Sequence, residues 1–174
     1  KNNSDVGNFF KLVMEKGLFE KPDIISGTIS LDCLEADDCI ALYIKKIHDL
    51  YPCKEIYVIT NDHDYLQLKS DNIYLINLKY QTVGINKTSG DPQKDLFIKA
   101  VCGDKSDNIN KIFINKKLGT KKVGDLYNDL DKFTKLCKED SAETYDRYLN
   151  NMKLVSFEYI PEIYIKKFYE KYWS

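Results

Sequence analysis

Apolar residues recur at two different intervals along this 174-residue chain, and each change of interval marks an element. Val6, Phe9, Phe10, Val13, Met14 and Leu18 fall at helical spacing, which predicts a helix over 6–19 that Pro22 stops. Ile29, Leu31 and Cys33 alternate with their neighbours, predicting a strand over 28–33. A helix runs from the residues that follow to about Tyr51, with Ile40, Ile44 and Ile47 inward and Pro52 at its end. Residues 55–60 (EIYVIT) are a near-continuous apolar run of β-formers, the mark of a strand buried on both faces. The loop Asn61-Asp62-His63-Asp64 and a short helical turn around 65–68 lead to a third strand over 73–78 (IYLINL).

The pattern then shifts towards helix. Residues 79–90 are polar, with Gly84 and Gly90, and read as a loop or excursion. Asp91-Pro92 has the form of an N-cap followed by an N1 proline, starting a helix that carries Leu96, Phe97, Ala100 and Val101 and ends at Gly103. Past Asn110 the strand signals fade, and 121–130, 132–137, 142–152 and 161–172 suit helices. Alternating strands and helices followed by a helical tail imply an α/β fold, with a mostly parallel sheet flanked by helices and an α-helical C-terminal region.

Composition narrows this little. Hydrophobic content of 43% and charged content of 30% are those of an ordinary globular chain, and no apolar run approaches a membrane span. Five cysteines, odd in number and without a CxxC pair, argue against a disulfide frame or a zinc site and for a reducing, intracellular compartment. Lysine outnumbers arginine 25 to 1, Arg147 being the single arginine.

Charge distribution changes the picture more. The net charge is −1, yet seven acids sit in three compact clusters: Glu35, Asp37 and Asp38; Asp62 and Asp64; Asp104 and Asp107. Without those seven the remainder carries +6, and residues 108–122 hold Lys111, Lys116, Lys117, Lys121 and Lys122 with no acid among them. Taken singly, each acidic cluster has a bland reading. An acidic first helical turn complements the helix dipole, and Asn-Asp-His-Asp is a common turn. Taken together, they fall where a parallel α/β sheet collects ligands, at the C-terminal ends of strands. Carboxylates that crowd together resist ionising bare, and hard divalent cations with oxygen ligands, Mg²⁺ or Mn²⁺, resolve the conflict. Two such ions about 4 Å apart clamp a phosphodiester and activate a water, so the acids imply phosphoryl-transfer chemistry on a nucleic acid or nucleotide. His63 reads as a solvent-facing loop residue rather than a ligand.

These motifs match a known pattern. Glu35-Ala36-Asp37-Asp38 resembles the EADD motif of the 5′ nuclease family, which includes flap endonucleases and the 5′ nuclease domain of bacterial DNA polymerase I. Residues 60–68 (TNDHDYLQL) resemble its (S/T)xDxDxxQL, and 103–109 (GDKSDNI) its GDxSDNI. The likeness runs from about residue 10 to 160, in family order. It implies a PIN-like core over 1–104 and a helix-hairpin-helix region with C-terminal helices over 105–174. It implies DNA as substrate, as a 5′ flap, a branch or a 5′-ended duplex, in replication, repair or recombination. Glu35, Asp37 and Asp38 would serve one metal ion as catalytic ligands, and Asp62, Asp64 and Asp104 the other. Asp37 would reach both, and Asp107 would act directly or through water. Residues 118–122 (LGTKK) resemble the hairpin that grips duplex phosphates and holds K⁺, which assigns DNA contacts to Lys105, Lys116, Lys117, Gly119, Thr120, Lys121 and Lys122.

The chain departs from the pattern in two places. Residues 110–117 (NKIFINKK) stand where the family places a Pro-Gly and a short hairpin. The family's N-terminal strand with its first aspartate, a second aspartate, and the basic arch that threads the 5′ flap have no counterpart here, so the chain reads either as the C-terminal portion of a longer or cleaved nuclease or as one that has lost those parts. A PIN-type ribonuclease shares the acidic core, and a non-catalytic DNA-binding remnant would share the basic segment.

Overall fold

The computed structural model describes residues 27–84 and 88–173. The helix expected over 6–19 lies outside the described residues. Residues 1–40 and 41–174 form two compact units, and helix α1 (Ala36–Leu50) crosses from the first into the second. In chain order β1 (Ile56–Ile59), a 3₁₀ turn (Asp64–Leu68) and β2 (Ile73–Ile76) follow. After them come α2 (Pro92–Cys102), α3 (Thr120–Leu126), α4 (Leu130–Asp140), α5 (Thr144–Val155), a 3₁₀ turn (Phe157–Tyr159) and α6 (Glu162–Trp173). The fold is α/β, and the sheet among the described residues is a parallel pair, β1 on β2, with Ile56 opposite Ile73 and Val58 opposite Leu75.

Three expectations about strands need correction. Residues 28–33 form no strand: they run into a turn, and Cys33 takes a positive φ of 70°. Alternation gives a segment a face, but a strand needs a ladder, and residues 28–33 join none of the described strands. The run over 55–60 is not buried on both faces. Val58 points inward, whereas Tyr57 and Ile59 are 57% and 60% exposed. Tyr57 stacks on Tyr74 of β2, with ring centroids 5.0 Å apart, and its hydroxyl donates to Glu55 at 3.0 Å. Tyrosine brings a polar tip to an outward position, so an apolar-looking run becomes a half-buried strand. The third strand stops at Ile76 because Asn77 Oδ1 accepts from the N–H groups of Lys79 and Gln81, an Asx turn that leaves Leu78 in solvent.

Helix α2 is the centre of the second unit. Asp91 Oδ1 caps it by accepting from the N–H of Gln93 and Lys94, and Pro92 stands at its first turn. Its buried residues are Leu96, Phe97, Ala100 and Val101, as the spacing predicts. One side, Phe97 and Val101, packs with Ile112, Phe113, Val123, Leu126, Phe133 and Cys137. The other side, Leu96 and Ala100, meets Ile109 and Val155. Aromatic rings tie the first group, with Phe97 and Phe133 edge-on at 4.9 Å and Phe133 and Tyr148 at 5.0 Å.

The basic segment 110–117 is anchored to this core. Ile112 and Phe113 are buried in it, and buried Asp140 holds the next turn. The Asp140 carboxylate accepts from the N–H of Ile114 (3.1 Å) and Asn115 (2.9 Å) and from the Thr144 hydroxyl (2.8 Å). Burial pushes this carboxyl up, but those hydrogen bonds and nearby Lys116 outweigh it and hold it below the usual aspartate range. Asp140→Ala is therefore expected to cost about 2–3 kcal/mol in urea unfolding, because it strands two backbone N–H groups. A carboxyl with a lowered folded pKa stabilises above its unfolded value and loses that effect as pH falls through the folded one. The difference between the parent and Asp140→Ala should hold at neutral pH and shrink on acidification below the ordinary aspartate range.

Candidate metal and nucleic-acid site

The first acidic cluster opens α1. Glu35 stands at the N-cap position, and Asp38, three residues on, accepts its N–H at 3.3 Å, while Asp37 Oδ1 accepts the Asp38 N–H at 2.9 Å. This is the reciprocal half of a capping box. Burial raises the Asp38 carboxyl, the Glu35 N–H opposes that, and the neighbouring Asp37 charge adds to it. Glu35, Asp37 and Asp38 belong to the first compact unit, and the remaining four acids to the second.

The second cluster is built by the end of β1. Thr60 continues the ladder through its N–H to Ile76 O, and its hydroxyl accepts from Asp62 N–H at 3.0 Å. Asp62 Oδ1 then accepts from Asp64 N–H at 2.9 Å, which turns the chain into the 3₁₀ segment. Asp62 is exposed and Asp64 half-buried. The segment is fixed from behind by Gln67. Its amide donates to Val155 O at 2.9 Å and accepts from Phe157 N–H at 3.2 Å.

The third cluster depends on a glycine. Gly103 ends α2 with φ 72°, and a Cβ there would lie 2.5 Å from Ile109 O. Only glycine lets the chain double back at this point. Asp104 and Ile109 then exchange backbone hydrogen bonds of 2.9 and 2.7 Å, closing a loop in which Asn108 takes φ 57°. Ser106 donates both its hydroxyl and its N–H to Asp104 Oδ1, holding that carboxyl below the usual range. Lys105 is exposed on the same loop.

These last two clusters meet on a lysine that the motifs do not include. Lys99 Nζ lies 2.7 Å from both oxygens of Asp64, 2.5 Å from Asp107 and 3.9 Å from Asp104. Burial lowers the Lys99 pKa, but the hydrogen bonds it donates to Asp107 and Asp64 and their charges more than reverse it, and the net shift is upward. Burial likewise raises Asp64; Lys99 opposes this, and the charges of Asp62 and Asp107 reinforce it. The sequence carried one faint sign of Lys99: a lysine in the last turn of a helix whose next loop bears two aspartates.

A cleft of about 260 Å³ opens over the group, lined among others by His63, Asp64, Gln67, Lys99, Asp104 and Thr120. Thr120 is the first residue of α3, so the acidic loops and the start of the basic hairpin share one depression. Gly119 precedes it in extended conformation, and Lys117, Lys121 and Lys122 are exposed around it. Lys116 is paired with Glu139 at 3.2 Å.

The donors fit a hard cation in kind. All are carboxylate oxygens, and a positive group already stands where Asp64 and Asp107 converge. Among the described residues no three His, Cys, Asp or Glu side chains gather at metal-holding spacing; the ammonium of Lys99 is the cation they share. Lys99→Met is expected to cost about 1–3 kcal/mol of stability, read by urea unfolding, by leaving half-buried carboxylates without their partner. The same change should tighten Mn²⁺ binding by at least about tenfold in calorimetry, because it removes a like charge next to the ion. Unchanged affinity would count against a cation position here.

No family model matches the chain. Two curated proteins are similar in sequence. One is named ribonuclease H, from Enterobacteria phage T4, 28% identical over 148 residues that cover 77% of this chain and 47% of that protein. The other is a 5′-3′ exonuclease of Mycoplasmopsis pulmonis (strain UAB CTIP), 29% identical over 143 residues, covering 76% and 44%. The chain thus spans about half the length of these relatives. Among solved structures, zinc-bound T5 5′-exonuclease superposes with a TM-score of 0.72 at 20% identity, covering 98% of this chain and 71% of the other. The bacteriophage T5 flap endonuclease in complex with DNA and metal ions gives 0.57 at 19% identity, over 78% and 57%. These structural likenesses concern the fold.

Proposed function

We propose that the chain belongs to the 5′ nuclease family and forms the acidic half of a structure-specific 5′ nuclease acting on DNA. The observation that carries the reading is the meeting of Asp64, Asp104 and Asp107 on one cationic position, in a cleft that Thr120 of the hairpin helix also lines. The substrate is a DNA phosphodiester near a 5′ end, flap or branch, met in replication, repair or recombination. Two divalent ions, Mg²⁺ or Mn²⁺, would supply charge neutralisation at the scissile phosphate and an activated water.

The residues divide the work as follows. Asp62, Asp64 and Asp104 would hold one ion and Glu35, Asp37 and Asp38 the other, with Asp107 acting directly or through water. Lys99 orients Asp64 and Asp107 and offsets part of their charge before any ion arrives. Lys105, Lys116, Lys117, Lys121 and Lys122, with the backbone of Gly119 and Thr120, hold phosphates without reading sequence, and the hairpin takes K⁺. The acidic loops supply geometry; the exposed lysines supply affinity.

Cleavage of a 5′-flapped DNA in Mg²⁺, by the encoded protein that carries this chain, tests the reading. Asp64→Ala and Asp104→Ala are each expected to slow it by about 100-fold or more, as loss of an ion worth several kcal/mol requires. Flap binding without metal-dependent cleavage in the parent protein would leave a DNA-binding, non-hydrolytic role instead. Lys121→Glu with Lys122→Glu should reduce the salt dependence of duplex binding by about two counterions. An unchanged slope would remove the hairpin assignment.

A further inference from the structure

Resting on the nuclease reading, we propose that a second cleft, between residues 110–111 and α5, also binds the phosphate backbone of duplex DNA. It extends the grip from the hairpin through Lys111 to Arg147. The cleft has a volume of about 430 Å³ and is lined by Asn110, Lys111, Arg147, Asn150 and Asn151. Every lining side chain carries N–H donors, those of Asn151 being taken up by the backbone; two are cationic, and none is apolar or acidic. A small-molecule pocket is mostly apolar, so this lining suits a polyanion instead.

The cleft is built rather than incidental. Asn151 Nδ2 donates to Ala100 O and to Asn110 O, each at 2.8 Å, so one side chain on α5 fixes the end of α2 and the start of the basic segment together. That contact holds Lys111 beside the face of α5 that carries Arg147. Lys111 also lines a neighbouring cleft of about 370 Å³ with Lys116, Lys117 and Gly119. The two depressions share Lys111; the neighbouring one has an apolar floor that includes Val101, Phe113 and Val123, and its three lysines continue the positive track from the hairpin.

The acids near the track are Glu143, exposed at the N-cap of α5, Asp146, exposed in its first turn, and Glu139, which pairs with Lys116 at 3.2 Å. Glu143 pairs with Arg147 Nη2 at 2.8 Å, one turn away along the helix. Such an exposed pair contributes little, and a guanidinium has five N–H donors in a fork that matches two phosphate oxygens. The pair therefore orients Arg147 without preventing phosphate contact. In a chain with 25 lysines, its single arginine stands in this cleft.

Duplex DNA binding by the encoded protein, measured across salt concentrations, tests the proposal. Lys111→Gln combined with Arg147→Gln should lower the slope of log affinity against log salt by about two, while Arg147→Lys, which keeps the charge, should retain it. Thermal unfolding of each variant confirms folding. If the double variant does not fold, Lys111→Gln alone decides, with an expected loss of about one in slope. An unchanged slope overturns the proposal. If Lys121→Gln with Lys122→Gln still lowers the slope, the nuclease reading survives that result. If neither pair matters, the hairpin assignment falls as well.

Discussion

One ammonium group organises the acidic half of this molecule. Lys99 sits on the last turn of α2 and is shared by Asp64, Asp107 and, more distantly, Asp104. Half-buried carboxylates at this density repel one another and lose hydration, and a single cation among them offsets both costs. Because Lys99 belongs to the helix that carries both sides of the core, the charge arrangement and the apolar packing are fixed by the same fifteen or so ångströms of backbone. A shift of α2 would disturb the core and the acidic loops at once.

The loops around that node are shaped by local rules rather than by the node itself. Asp62 turns the chain after β1, Gly103 permits a doubling back that any Cβ would block, and Ser106 orients Asp104. Each aspartate therefore has a structural duty in addition to the chemistry proposed for it. Asp38 shows the same doubling of roles at the start of α1, where it accepts the N–H of Glu35. A carboxylate that already accepts N–H bonds is held in one orientation, which is what ligation by oxygen requires.

Much of this was legible from the order of residues. Asp91-Pro92, the inward set Leu96, Phe97, Ala100 and Val101, and the break at Gly103 all announce α2 correctly, because capping and helical periodicity are local properties. The three acidic motifs are legible for the same reason: their spacing is within a turn or a loop. What was not legible is whatever depends on contacts distant in sequence. Residues 28–33 have a strand's alternation but join none of the described strands, and 55–60 has apolar content but leaves Tyr57 and Ile59 in solvent. Lys99 gives almost no sign of itself, since its partner Asp64 lies thirty-five residues away. Asp140 is equally silent: nothing local shows that it will hold the backbone at 114 and 115.

Gln67 gives the acidic loop an unexpected dependence on the far end of the chain. Its amide completes a bridge to the backbone at Val155 and Phe157, some ninety residues downstream, where α5 gives way to the last turn and helix. Sequence distance and mechanical distance thus part company. The tail is a brace for the loop that carries Asp62 and Asp64, so a truncation that stops short of residue 157 would loosen the acids while leaving every one of them in place.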